Sequence, residues 1–271
     1  MNTLYVSDLD GTLLRSNETL SKFTVQSINS LIKNGMLFSY ATARSIVTSS
    51  RVTKGLSSQI PVILYNGAFI RRGDTNELIA SNLFGPEFRG VLDDLIAHQI
   101  YPIIYSLADG KEKYRYWVEM ATPGMKFFND SRSGDPRETP VHCGADLYAD
   151  LPFYMTCIDE TEKLVPIYEK YREQFHCILH HDIYSGNQWL EIMPKNTSKS
   201  NAICQLKDLL GCEKLVVFGD GKNDIDMFRL ADECYAVENA VDELKQIATG
   251  IIGSNNSDGV AKWLLERFET E

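Results

Sequence analysis

Short apolar runs alternate with helically spaced apolar positions at both ends of this chain, and the rhythm lapses in the middle. Leu4-Tyr5-Val6 is a β-prone run ending in Ser7-Asp8-Leu9-Asp10-Gly11-Thr12, which predicts a buried strand opening into a turn. Over 21–34, Val25, Ile28, Leu31 and Ile32 recur at helical spacing, with Ser21 as N-cap and Gly35 as stop. Apolar runs at 36–41 and 61–65 predict two more strands. The first ends in Thr42-Ala43-Arg44, the second in Asn66-Gly67-Ala68, where Asn-Gly predicts a type I′ hairpin turn. Ile70 and Leu78-Ile79 flank the polar stretch 72–77, predicting a surface hairpin.

From about 84 to 188 the pattern changes. Helical spacing at 87–97 and 160–175 lies among strand-like runs at 114–119, 154–158 and 177–179, and aromatics cluster (Tyr101, Tyr105, Tyr114, Tyr116, Trp117, Phe127, Phe128). Helices mixed with such strands predict an inserted α+β unit, its aromatics mostly core. The βα rhythm returns with a strand at 189–194, a helix marked by Ile203, Leu206, Leu209 and Leu210 and stopped by Gly211, and a strand at 215–218. A helix through Met227 and Leu230, a strand at 234–237, a helix opened by Asn239-Ala240 and an amphipathic last helix complete the scaffold, with no chemistry assigned to Asn239. The expected division is a core of residues 1–83 and 190–271 with an inserted domain at 84–189.

Composition narrows the function classes. The 271 residues are 44% hydrophobic and 24% charged, as in an ordinary globular protein. Lys+Arg of 27 against Asp+Glu of 37 gives a net charge of -10, with no basic patch, which disfavours nucleic acid and anionic membranes as partners. No run of about 18 apolar residues predicts a membrane span. A strand beginning at the amino terminus leaves no room for a signal peptide, and six scattered cysteines without metal spacing read as reduced thiols, so a cytoplasmic protein is expected.

Candidate chemistry sits where the runs end. Asp8 and Asp10, two apart on a strand, share a face at the strand's carboxyl end, and they repel unless a cation or a proton relieves them. Thr42 and Arg44 close a second strand, where Thr42 also reads as a helix N-cap. Lys199 falls in the first turn of a helix, where an ammonium suits the dipole poorly and calls for an anion; Lys195 is the spare candidate. Asp220, with Asn223 and Asp224 one turn later, makes an oxygen-rich pocket suited to a hard cation, or else a polar loop capping the next helix.

Taken together, these stretches resemble the four motifs of the haloacid-dehalogenase-like phosphohydrolases: Asp8-Leu9-Asp10-Gly11-Thr12, the strand ending at Thr42, the lysine opening a helix at Lys199, and Gly219-Asp220-Gly221-Lys222-Asn223-Asp224. Two departures stand out, Ala43 and Ser200 where the family usually carries glycine. The resemblance implies a Rossmannoid α/β parallel-sheet core with an inserted α+β cap of the large type found in the Cof-like branch. It implies that Asp8 is the nucleophile and Asp10 the acid/base, with Mg2+ held by the Asp8 carboxylate, the Asp10 backbone carbonyl and the acids Asp220 and Asp224. Thr42, Arg44, Asn66, Gly67, Lys199 and Asn223 are then substrate-binding. The implied activity is hydrolysis of a small phosphorylated metabolite, such as a sugar phosphate, through an aspartyl phosphate, by a monomer or dimer. Phosphoryl transfer as in phosphomannomutases is an alternative. A receiver-like signalling protein or a non-catalytic phosphometabolite sensor is another, although receivers lack both the inserted cap and Asp-x-Asp-Gly-Thr.

Overall fold

The computed structural model describes residues 2–57, 61–181 and 186–268. They divide into two compact units, Met1–Ser81 with Ser198–Glu271, and Asn82–Thr197.

The first unit begins with β1 (Thr3–Ser7), α1 (Lys22–Lys33), β2 (Leu37–Tyr40), α2 (Ile46–Val52), β3 (Val62–Leu64), β4 (Phe69–Arg71) and β5 (Leu78–Ser81). The inserted unit follows with α3 (Glu87–Ala97), β6 (Ile103–Ala108), β7 (Lys111–Trp117), α4 (Pro123–Asp130), β8 (Glu138–Val141), β9 (Leu151–Asp159), α5 (Thr161–Tyr171), β10 (His176–His181) and β11 (Gln188–Met193). The first unit is completed by α6 (Lys199–Leu210), β12 (Lys214–Gly219), α7 (Ile225–Leu230), β13 (Glu233–Val237), α8 (Asp242–Lys245), β14 (Gly250–Ile252) and α9 (Gly259–Phe268).

Among the described residues the first unit holds a parallel sheet in the order β14-β13-β12-β1-β2. Leu4 to Ser7 and Leu215 to Gly219 are buried throughout, as strands covered on both faces must be. Helices supply that cover. In α1 the Ser21 hydroxyl accepts from the Thr24 N–H at 2.9 Å, and Thr24, Ile28, Leu31 and Ile32 make one buried stripe, with α9 alongside. A parallel bridge from Ala41 to Ile63 leads from the end of β2 into a second sheet, β3-β4-β5, which is antiparallel. Because the main strands are parallel, Asp8, Thr42 and Asp220 all follow carboxyl ends on one edge. The edge lies where successive connections leave β1 in opposite directions, the usual place for a ligand in open α/β sheets.

In the inserted unit the sheet order is β10-β11-β9-β6-β7-β8, antiparallel except for the parallel pair β7–β8. One face packs Ile104, Met155, Cys157, Leu190 and Ile192 under Phe88, Leu92 and Leu95 of α3 and Leu164 and Ile167 of α5. The other carries an aromatic layer in which Tyr105 meets Tyr114 and Tyr154, and Phe128 of α4 meets Tyr114 and Trp189. Of the clustered aromatics Tyr105, Tyr114 and Phe128 are thus core, Trp117 packs against the core of the opposite face, Tyr101 and Tyr116 are half-buried, and Phe127 is 54% exposed.

Several expectations need correction. The strand expected to restart the core, β11, lies between β9 and β10 in the inserted sheet, so the unit boundary falls at Thr197/Ser198 rather than 189/190. Its apolar alternation serves the inserted core: Leu190 and Ile192 face α3 and α5. Residues 1, 58–60 and 269–271 of the expected core, and 182–185 of the expected inserted domain, lie outside the described residues. The expected Asn-Gly turn forms, with φ of 52° at Asn66 and 100° at Gly67 and the Ala68 N–H donating to the Tyr65 carbonyl at 3.0 Å, but Leu64 pairs with Phe69, so residues 65–68 rather than two residues connect β3 to β4. Ser45, not Thr42, caps α2, its hydroxyl accepting from the Thr48 N–H at 3.2 Å. α8 begins at Asp242, after Asn239-Ala240. No helix among the described residues is long and apolar enough to cross a membrane.

Candidate active site

Strand pairing sets the site. β1 and β12 run in register to Ser7 and Phe218, and the ladder ends with the Asp8 N–H donating to the Phe218 carbonyl at 2.9 Å. From there the chain after Asp8 makes one wide turn, closed by the Leu14 N–H on the Leu9 carbonyl at 2.8 Å. Gly11 sits in it at φ 77°, and a Cβ on it would lie 2.3 Å from Asp220 Oδ2, so a glycine is needed both for conformation and for space.

Asp8, Asp220 and Asp224 bring carboxylate oxygens within 4.8 Å of one another. Lys199, from the first turn of α6, reaches into this group: its Nζ donates to Asp8 Oδ1 at 2.5 Å and to Asp224 Oδ1 at 2.7 Å. All of Asp8, Lys199 and Asp224 are buried. The other Asp224 oxygen accepts from the Asp220 and Gly221 N–H groups, both at 3.0 Å, so this carboxylate organises the Asp220 loop as well as anchoring the lysine. The Thr12 hydroxyl donates to Asp220 Oδ1 at 2.9 Å.

Three carboxylates against one ammonium leave the cluster short of positive charge. Burial pushes the Asp8 carboxyl well above the usual range, with Lys199 opposing and Asp224 and Asp220 adding to the rise. Asp220 is raised to about 6, first by burial and then by Asp224. Burial works against the Lys199 ammonium, yet Asp224 and Asp8 hold it above the ordinary lysine range. A compact, all-oxygen, electron-rich donor set of this kind fits a hard divalent cation.

The remaining expected residues divide. Asp10 is exposed and its side chain stands apart from the carboxylate group, gripped by the Arg44 guanidinium fork at 2.8 and 2.6 Å. Arg44 also meets Glu18 at 3.0 Å, so its charge is spent on two acids. Thr42 is fully buried; its hydroxyl accepts from the Arg44 N–H at 3.1 Å, and its carbonyl from the Asn66 N–H at 2.9 Å. Tyr65, Asn66 and Gly67 all have positive φ (49°, 52° and 100°), a strained run of the sort found at ligand clamps. Asn66 Oδ1 is buried with no hydrogen-bond partner among the described residues. A Cβ on Gly67 would lie 2.1 Å from the Ser198 carbonyl, so this turn is pressed against the start of α6. Asn223 is exposed, its side-chain oxygen folded back over Gly221.

One residue assigned no chemistry lies at the site. Asn239 donates from Nδ2 to the Gly11 carbonyl at 2.7 Å. Its signal was an Asn-Ala pair just past a strand end, read there as the opening of a helix.

A parallel α/β core with its charged cluster at the strand tips, interrupted by an antiparallel α+β unit, defines a haloacid dehalogenase-like fold, and the chain belongs to the haloacid dehalogenase-like hydrolases: a profile of that family matches residues 5–264. It is 26% identical over 275 residues to the 5-amino-6-(5-phospho-D-ribitylamino)uracil phosphatase YitU of Bacillus subtilis, covering 98% of this chain and 97% of the relative. To YwtE of the same organism, which carries the same activity in its name, it is 27% identical over 279 residues, covering 95% of each. A solved structure from Thermotoga maritima superposes with a TM-score of 0.80 at 25% identity, over 98% of this chain and 97% of that one.

Proposed function

We propose that the protein is a Mg2+-dependent phosphatase that hydrolyses a small phosphorylated metabolite through an aspartyl phosphate on Asp8. The observation that carries this reading is the buried Asp8–Lys199–Asp224 chain beside Asp220 at the tips of adjacent parallel strands. The Asp8 carboxylate, the Asp10 backbone carbonyl and Asp220 would hold the ion, with Asp224 behind them fixing the Asp220 loop. Bound there, Mg2+ offsets the repulsion between an anionic nucleophile and a phosphate dianion.

The chain's own groups do the rest. An Asp8 oxygen attacks phosphorus, the phosphorus–oxygen bond to the leaving group breaks, and Asp10 gives its proton to the departing oxygen. In the second half Asp10 takes a proton from water, whose oxygen attacks the same phosphorus, releasing inorganic phosphate and restoring the Asp8 carboxylate. Lys199 and the Thr42 hydroxyl hold the non-bridging oxygens as charge moves onto them. Arg44 is better suited to aiming the Asp10 carboxylate than to binding phosphate, since its Nε and Nη2 grip Asp10 and Nη2 also meets Glu18.

Two relatives act, by name, on a phosphorylated ribitylaminouracil, which makes that ester and sugar phosphates the first substrates to try. The test is phosphate release from a panel of phosphorylated metabolites with Mg2+ and with chelator. Release from one or more members that stops with chelator is expected; no release from any, p-nitrophenyl phosphate included, would refute the reading.

A further inference from the structure

We propose that Asn239 is a positioning residue for the metal-binding carboxylates, its side-chain amide setting the gap between the loop that carries Asp8 and Asp10 and the loop that carries Asp220. This rests on the magnesium reading above.

The two loops leave the sheet from neighbouring strands, and their last ladder hydrogen bond is the one from the Asp8 N–H to the Phe218 carbonyl. Beyond it they carry carboxylates that repel each other, so something must hold them at a fixed spacing. The turn after β13 reaches both. Asn239 Nδ2 donates to the Gly11 carbonyl at 2.7 Å, and two residues on, the Val241 N–H donates to the Asp220 carbonyl at 2.9 Å. One short segment thereby grips one carbonyl on each loop. The gap it spans is tight, because Gly11 and Asp220 already leave no room for a Cβ.

The grip is itself braced. Asn239 Oδ1 accepts from the Asn255 N–H at 3.0 Å, and the buried Asn255 side chain donates to the Leu14 carbonyl at 2.9 Å, closing the far end of the same turn. The donor of the Asn239 amide and its acceptor thus have separate partners, which fixes the orientation of the group. Asn239 is exposed, so water can replace its hydrogen bonds and its loss costs little stability. An exposed amide that contributes little to folding yet pins the Gly11 carbonyl has its effect on geometry. Groups that orient metal ligands from behind typically change affinity about 10- to 100-fold when removed.

Asn256 supplies the control. It joins the same two parts of the chain, exchanging hydrogen bonds with Ser16 at 2.9 and 3.1 Å, and is likewise exposed, but it touches neither carboxylate loop. The experiment is calorimetric titration of Mg2+ into the metal-free full-length chain, wild type, Asn239→Ala and Asn256→Ala, with metal-free thermal unfolding of each. Asn239→Ala is expected to weaken Mg2+ binding about 10- to 100-fold while its metal-free melting temperature stays within about 4 °C of wild type. Its kcat on p-nitrophenyl phosphate should then recover at saturating Mg2+. Asn256→Ala should match wild type in both measurements. Unchanged Mg2+ affinity in Asn239→Ala overturns the proposal, as does an equal loss in Asn256→Ala or a large drop in metal-free stability, either of which marks general loosening. If the wild type itself takes up no Mg2+, the magnesium reading fails first and the positioning role falls with it.

Discussion

Lys199 and Arg44 each bring a cation to a carboxylate at the edge of the same parallel sheet, the first in the interior and the second from a half-buried side chain, 20% exposed, to acids at the surface. The Lys199 side chain is 3% exposed and its partners Asp8 and Asp224 are 7% and 0% exposed, whereas the Asp10 and Glu18 side chains that hold Arg44 are 47% and 49% exposed. In the interior the charges have no water to fall back on, so removing one partner strands the others. At the surface water replaces either partner cheaply. The difference separates a fixed element of the site from an adjustable one: Lys199 and Asp8 are locked together, while Asp10 can exchange the guanidinium for water, as the proposed proton-transfer role requires.

Breaking that comparison starts with its two acids. Asp8→Asn should abolish turnover, a fall of at least about 10⁴-fold, because an amide is not a competent nucleophile. Normal phosphate release by the variant would remove Asp8 from its role. Asp10→Asn should slow the first step on the order of 10²- to 10⁴-fold with a sugar phosphate but much less with p-nitrophenyl phosphate, whose leaving group departs as a stable anion. Rapid-mixing measurement of the burst separates this from the slower second step, and equal losses for both substrates would count against Asp10 as proton donor.

The cations come next. Lys199→Met should cost about 3–5 kcal/mol in urea unfolding of the metal-free protein, partly restored by Mg2+, and Arg44→Ala no more than about 1 kcal/mol. Similar losses from the two would erase the distinction. The smallest effect is in pH. Asp220, raised to about 6 when folded, binds a proton that the unfolded chain releases near the ordinary value of about 3.9. Stability of the metal-free protein should therefore fall as pH rises between those values, since the folded state holds more protons there. Asp220→Asn should flatten that slope without removing it, because Asp8 is raised as well. Melting curves in chelator across this range make the check.

Much of the core was legible because Asp8, Thr42 and Asp220 each follow a short buried run on a parallel strand. Parallel strands bury both faces, so the runs are continuously apolar and their polar ends stand out, as at Asp8, Thr42 and Asp220. β11 was misplaced for a related reason. Trp189 to Met193 reads as an apolar run leading into the Lys199 helix, and nothing local to it says that its partners are β9 and β10. The family resemblance alone implies that Arg44 binds substrate; its pairing with Asp10 and Glu18 depends on where two turns end, which spacing does not encode. Asn239 escaped for a similar cause, as an amide aimed at a backbone carbonyl 228 residues away leaves no pattern in the sequence.

The order of strands in the parallel sheet bears on how the chain can fold as it is made. β12 supplies β1 with one of its two neighbours, and it lies beyond the whole inserted unit. Until residue 219 has been synthesised, β1 can pair with β2 alone, and Asp8 has neither Lys199 nor Asp224 beside it. The strands of the inserted sheet, by contrast, all come from one continuous stretch, 103–193, and are present together well before that point. Closing contacts across so long a separation is slow, and a sheet left open meanwhile exposes an edge to other chains. The parallel sheet thus cannot be completed until its last strands have been made, and its first strands are the ones that must be kept from finding the wrong partner.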